Sequence, residues 1–115
     1  MLDELTNESK FLLSSMYKEY LQRRKDGLDR PKARNFNSEI TIHDEIMPEW
    51  PQPDVHDSIS ELKNNGLIEA ISGGNVFSFI TLSPKAIAQL EITFKDRIDS
   101  VLDYAAKIKN AIPFV

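Results

Sequence analysis

The sequence predicts an α+β fold, mainly α-helical with one small β-hairpin, and three stretches carry the expectation. The first is a short amphipathic helix over residues 54–65 that ends at Gly66. The second is a hairpin over residues 67–82, turning on Gly73-Gly74. The third is an apolar stripe at helical spacing that begins after Ser83-Pro84 and runs toward the C-terminus.

In the first stretch, Val55, Ile59 and Leu62 stand at i, i+4 and i+7, which places three apolar side chains on one face of a helix. Gly66 follows, and because glycine enters the left-handed region without a Cβ penalty, Asn65-Gly66 marks a helix end. The segments 68–72 and 76–82 are short, apolar and rich in β-branched or aromatic residues. The cluster Ser72, Gly73, Gly74, Asn75 between them supplies the positive φ a tight hairpin needs. Phe77 and Phe79 alternate with polar and aliphatic neighbours and are expected in the core.

Upstream, Leu12, Leu13, Met16, Tyr17, Tyr20 and Leu21 recur at steps of three and four, predicting a helix from about Glu8 to Lys25 with Thr6 or Asn7 as its cap. Gly27 ends it, and residues 27–37 read as an exposed loop or short extended segment. Ser38 then caps a second helix with Ile40, His43, Ile46 and Met47 on one face, although Ile40-Thr41-Ile42 could equally begin a short strand. Pro48, Pro51 and Pro53 forbid regular structure across residues 48–53, and Trp50 among them is expected to fold back as a packing plug.

After the hairpin, Ser83 offers a hydroxyl cap and Pro84 a ring at the first helical position, where no N–H is needed. Ile87, Leu90, Phe94, Ile98, Val101, Ala105, Ile108 and Ile112 continue the stripe for about 25 residues, more than a small core usually covers. Two outcomes satisfy it: a break near residues 96–99 that folds the end back onto Leu12 and Met16, or a second copy of the chain packed over Phe94, Ile98, Val101, Ala105, Ile108 and Ile112. The expectation adopted is a homodimer.

At 115 residues without cysteine, the chain amounts to one domain held by packing, with the cytoplasm as its default location. No apolar run approaches the roughly 18 residues of a membrane span. The net charge of −4 argues against a nonspecific nucleic-acid coat, yet Arg23, Arg24, Lys25, Arg30, Lys32 and Arg34 crowd into one segment against Asp26 and Asp29. His43-Asp44 and His56-Asp57, with Glu45, Glu49 and Asp54 nearby, lack any fixed metal-ligand spacing. No nucleophile motif, phosphate loop or dinucleotide fingerprint is present. Neither enzymatic activity nor a cofactor is expected.

Two stretches resemble a known family. Val55-x3-Ile59-x2-Leu62-x3-Gly66-Leu67-Ile68-Glu69 is similar to the third helix entering the first wing strand in MarR-like and PadR-like regulators. Ile80-Thr81-Leu82-Ser83-Pro84-Lys85-x4-Leu90-Glu91 is similar to their strand-to-helix exit after the wing. The resemblance implies a winged helix-turn-helix with an extended C-terminal helix: a core over residues 1–83 and a dimerisation element over 84–115. It puts residues 54–65 in the recognition-helix position and residues 72–75 at the wing tip. Two departures stand out: the connection at residues 48–53 is longer than the usual turn, and the wing tip carries no Arg or Lys.

With Val55, Ile59 and Leu62 inward, a 100° step puts Asp57, Ser60, Glu61 and Asn64 outward. The first functional expectation is therefore a dimeric, DNA-binding transcriptional regulator. Arg23, Arg24, Lys25, Arg30, Lys32 and Arg34 would hold phosphates, while His56, Ser60, Lys63 and Asn64 lie in or near the major groove. The alternative is a winged-helix protein-interaction module without DNA binding, in which Asp57 and Glu61 meet a basic partner.

Overall fold

The computed structural model describes residues 2–112, so residue 1 and the last three positions of the expected 84–115 element lie outside it. A 3-10 turn over Leu2–Glu4 leads into α1 (Asn7–Lys25), which is capped by the Thr6 hydroxyl accepting from Ser9 N–H. Two short elements follow in the expected loop: α2 (Arg30–Ala33), capped by Asp29, and the strand β1 (Asn35–Asn37). Then come α3 (Glu39–Glu45), capped by Ser38, and α4 (Gln52–Asn64). The hairpin is β2 (Ile68–Gly73) and β3 (Val76–Leu82), and α5 (Pro84–Phe94) and α6 (Ile98–Asn110) complete the chain.

The α+β class is as the sequence predicts, with a three-stranded antiparallel sheet in the order β1-β3-β2. Val55, Ile59 and Leu62 are fully buried. Gly66, at φ +72°, closes α4 as the glycine rule requires: its N–H reaches the Lys63 carbonyl, while Leu67 N–H reaches that of Leu62. Gly74 and Asn75 both take positive φ between the paired residues Gly73 and Val76, a two-residue turn whose twist matches the strands. Trp50 is buried and stacks on Phe11 at 5.7 Å.

Four expectations are corrected. The second helix turns Ile42 inward and leaves Ile40 exposed, which also carries Glu39 into the core. Regular structure resumes within residues 48–53, because Pro53 sits in the first turn of α4, where its missing N–H costs nothing. Phe79 is 72% exposed: Ala70 on β2 faces both Phe79 and Ile80 on β3, and this bulge, with Phe79 at φ +54°, keeps Phe77 and Ile80 inward and turns Phe79 out.

The fourth concerns the long terminal helix, which is two helices. Lys95 ends α5 in the left-handed conformation (φ 52°, ψ 40°), Asp96 follows at φ 58°, and α6 returns along α1. A left-handed L-residue costs roughly 1–2 kcal/mol, and local contacts offset this. The Tyr17 hydroxyl donates to Asp96 Oδ1 at 2.9 Å, and Tyr104 packs edge-on against Phe94 at 5.4 Å. Phe94, Val101 and Ile112 are buried, with Ile98 and Ile108 packed against the same core and Ala105 half-buried. One hydrophobic cluster thus runs from Leu5 to Ile112, across the boundary expected at residue 83. The stripe is covered by its own chain, so the reason for placing a partner over these six residues is gone.

Candidate functional site: the acidic α4 surface and the basic segment

The outward side of α4 is where the resemblance puts ligand contacts, and the structure spends several of those residues inside the fold. Glu61 reaches sideways to the start of α1. Its carboxylate accepts Thr6 N–H at 2.9 Å, the Thr6 hydroxyl at 2.7 Å and the Ser9 hydroxyl at 2.7 Å. Partial burial on its own would raise the Glu61 pKa; the bonds from Thr6 and Ser9 outweigh it and hold the carboxyl below the usual range. A negative group there also meets the positive end of the α1 dipole. Glu61 is a clamp between two helices.

His56 is similarly committed. Its Nδ1 lies 2.7 Å from Glu39 Oε1, and its ring stacks on Phe77 at 4.9 Å. Glu39 is 1% exposed and also accepts Phe77 N–H at 3.2 Å and Gln52 Nε2 at 3.4 Å. One buried carboxylate thereby joins α3, α4 and β3. Lys63 also lies over the Phe77 ring, its Nζ 5.5 Å from the centroid. Of the expected base-reading set, Asn64 is exposed and Ser60 half-buried.

The basic segment divides in two. Arg23 donates to the carbonyls of Ala33 (3.2 Å) and Asn35 (2.7 Å) and lies 4.5 Å over the Phe36 ring, so it fastens β1 to α1. Arg24 donates to the Leu28 carbonyl at 3.2 Å. Arg34 donates to the Leu82 carbonyl at 3.4 Å and stands 3.7 Å from Glu69. The other three, Lys25, Arg30 and Lys32, are exposed, with Lys32 3.8 Å from Asp29. This cluster begins at the far end of α1 from Glu61: the fourteen steps from Ser9 to Arg23 span about 21 Å at 1.5 Å per residue. The start of the basic segment therefore stands well away from Glu61 and the last turn of α4.

What does flank the start of α4 is acidic. Glu8 from α1 and Asp54 and Asp57 from α4 line a shallow groove together with Thr6 and Ser58. No Lys or Arg is among the lining residues. Among the described residues, no group of three His, Cys, Asp or Glu is placed to hold a metal ion, and no helix is long and apolar enough to cross a membrane. His43 has its own structural work, with Nδ1 2.9 Å from Asp44 and Nε2 2.8 Å from the Trp50 carbonyl. Both ring nitrogens face acceptors, which favours the doubly protonated ring, so Asp44 first and the carbonyl second push its pKa up.

Sequence reasoning missed Glu39. The signal was the choice of inward residue on α3, since turning Ile42 inward brings Glu39, three residues earlier, onto the same face. Comparison of the chain with known protein families, with curated proteins and with solved structures gives no match.

Proposed function

We propose that this chain is a winged-helix protein-interaction module that presents the acidic groove between the starts of α1 and α4 to a basic segment of a partner. The winged-helix reading is supported by the order α1, β1, α3, α4, β2, β3 and by the strand order β1-β3-β2. The partner reading is carried by one observation: Glu8, Asp54 and Asp57 converge on a groove without a cation. Duplex DNA would be repelled from such a surface, whereas a Lys- or Arg-rich peptide is attracted and steered to it. Glu61, committed to Thr6 and Ser9, drops out of the contact set and Glu8 and Asp54 join Asp57.

DNA binding is the competing reading, favoured by the exposure of Lys25, Arg30 and Lys32 on one segment. Fluorescence anisotropy with a labelled arginine-rich peptide and with a random-sequence duplex separates the two. The peptide should bind, weaken as salt rises, and lose affinity roughly tenfold in Asp54→Lys/Asp57→Lys. Binding of the duplex at micromolar protein and low salt, with a salt slope flattened by Lys25→Ala/Arg30→Ala/Lys32→Ala, would overturn the proposal in favour of a phosphate-binding surface.

A further inference from the structure

β2 is an edge strand: the sheet order β1-β3-β2 leaves one of its sides unpaired, and among the described residues no backbone group bonds to that side. Unpaired strand edges template further pairing, and folded proteins usually blunt them with lysine, proline or a bulge in the edge strand itself. β2 reads Ile-Glu-Ala-Ile-Ser-Gly, with Glu69 its single charge and no proline or lysine, and the bulge lies on β3 instead. Ile71, Ser72 and Gly73 are all exposed, Ile71 at 61%. Its cross-strand partner Ser78 is followed by Phe79, so two large apolar side chains stand in solvent beside an open edge.

The register decides which groups are available. Gly73 and Val76 close a two-residue turn, so they form a hydrogen-bonded pair, and directions alternate along the strand from there. The N–H and C=O of Gly73 and Ile71 face β3, and those of Ala70 and Ser72 face the open side.

We propose that this edge pairs with β2 of a second copy, antiparallel about a two-fold axis at Ile71. Ala70 of each chain then lies opposite Ser72 of the other, and the two pairs exchange four backbone hydrogen bonds. Ile71 faces its own counterpart at the close, non-hydrogen-bonded spacing where side chains touch most. Glu69 falls opposite Gly73, not opposite the second Glu69, so like charges do not meet. This self-complementarity selects a second copy as the occupant, because the strand supplies both the open amides and the apolar residue its partner requires. The two sheets become one six-stranded sheet, with Phe79 of each chain flanking the Ile71 pair.

Such a contact is small, so self-association on the order of 10⁻⁴ M is expected. Sedimentation equilibrium of the full chain, from micromolar toward millimolar, should move the apparent mass from 13.1 kDa toward twice that value. Over the same range, amide resonances of Ala70 and Ser72 should shift while that of Ile71 moves least. Ile71→Lys, a change at an exposed side chain, should leave the chain folded by circular dichroism and monomeric throughout. Ala70→Pro, which removes an edge-facing N–H, should do the same. A wild-type monomer at every concentration overturns the proposal. So does a dimer that survives both substitutions, or one abolished by Ile92→Lys or Leu102→Lys on the exposed helix faces.

Discussion

Replacing Glu61 by Gln and by Ala tests whether this residue clamps helices or waits for a partner. In the folded chain its carboxylate takes three hydrogen bonds at 2.7–2.9 Å from the first residues of α1, one of them from a backbone N–H that the helix itself cannot satisfy. Hydrogen bonds to a charged group contribute about 1.5–3 kcal/mol each when buried, and these are part-exposed and share one acceptor group, so their sum is far from additive. Working from the low end, Glu61→Ala should cost about 2 kcal/mol and lower Tm by about 10 °C, and Glu61→Gln about half of each. The carboxyl is held below its ordinary value, so its stabilisation is present above about pH 4.3 and disappears as pH falls through the folded value. Thermal melts by circular dichroism from pH 7 to pH 3 should therefore show the gap between wild type and Glu61→Gln closing on the acid side. A Glu61→Gln variant that melts with the wild type at pH 7, or a gap that persists unchanged at pH 3, would refute the clamp.

Three further outcomes follow from the same contacts. Glu39→Ala strands the buried Phe77 N–H and the His56 ring, and should cost about 3 kcal/mol in a denaturant titration; Glu39→Gln and His56→Ala should be coupled by more than about 0.5 kcal/mol in a double-mutant cycle. Arg23→Lys loses the planar guanidinium whose Nη1 donates to two carbonyls over the Phe36 ring and should lower stability by about 1 kcal/mol in the same titration, with no change in the affinity of any polyanion. His43 has a raised pKa, so its stabilisation is complete below its unfolded value near 6.5 and is lost as pH rises through the folded value; Tm of the wild type should fall across that window, and His43→Gln should flatten the profile.

The elements that were legible in the sequence are those whose signal is local. Thr6, Ser38 and Ser83 each cap the helix they precede because a hydroxyl beside an apolar period is a contact of three residues' range. Val55, Ile59 and Leu62 announce their face for the same reason, and the cluster of residues 72–75 its turn, although the two turn residues are Gly74 and Asn75, one position later than the expected Gly73-Gly74. What was illegible is set by distant partners or by elements too short to have a period. α2 has four residues and β1 three, so neither repeats a pattern. The reversal at Lys95 was one of the two outcomes the stripe allowed, but the choice between them was not legible: the break uses neither glycine nor proline and is held by Tyr17, 79 positions from the Asp96 it bonds.

The same limit acts on charge, and there it bears on function. A run of six cations in the sequence implies a phosphate clamp only if the charges stay available, and hydrogen bonding to carbonyls leaves no trace in composition. Arg23, Arg24 and Arg34 spend donors on the carbonyls of Ala33, Asn35, Leu28 and Leu82, while Lys25, Arg30 and Lys32 remain outward. Each of these arginines keeps its charge but has Nη1 turned to the chain's own backbone, which narrows the directions from which it can grip a phosphate. The acids divide in the same way: Glu39 and Glu61 hold the fold together, and Asp54, Asp57 and Glu8 line the groove at the surface. After that division the surface at the start of α4 is left to Glu8, Asp54 and Asp57, while the cations near the helix stand elsewhere on it: Lys63 over the Phe77 ring and Lys85 on the Asn65 carbonyl at the other end. A basic peptide is therefore the sharper probe of this surface than a duplex, and the exposed trio on residues 25–32 is the place where a duplex would have to hold.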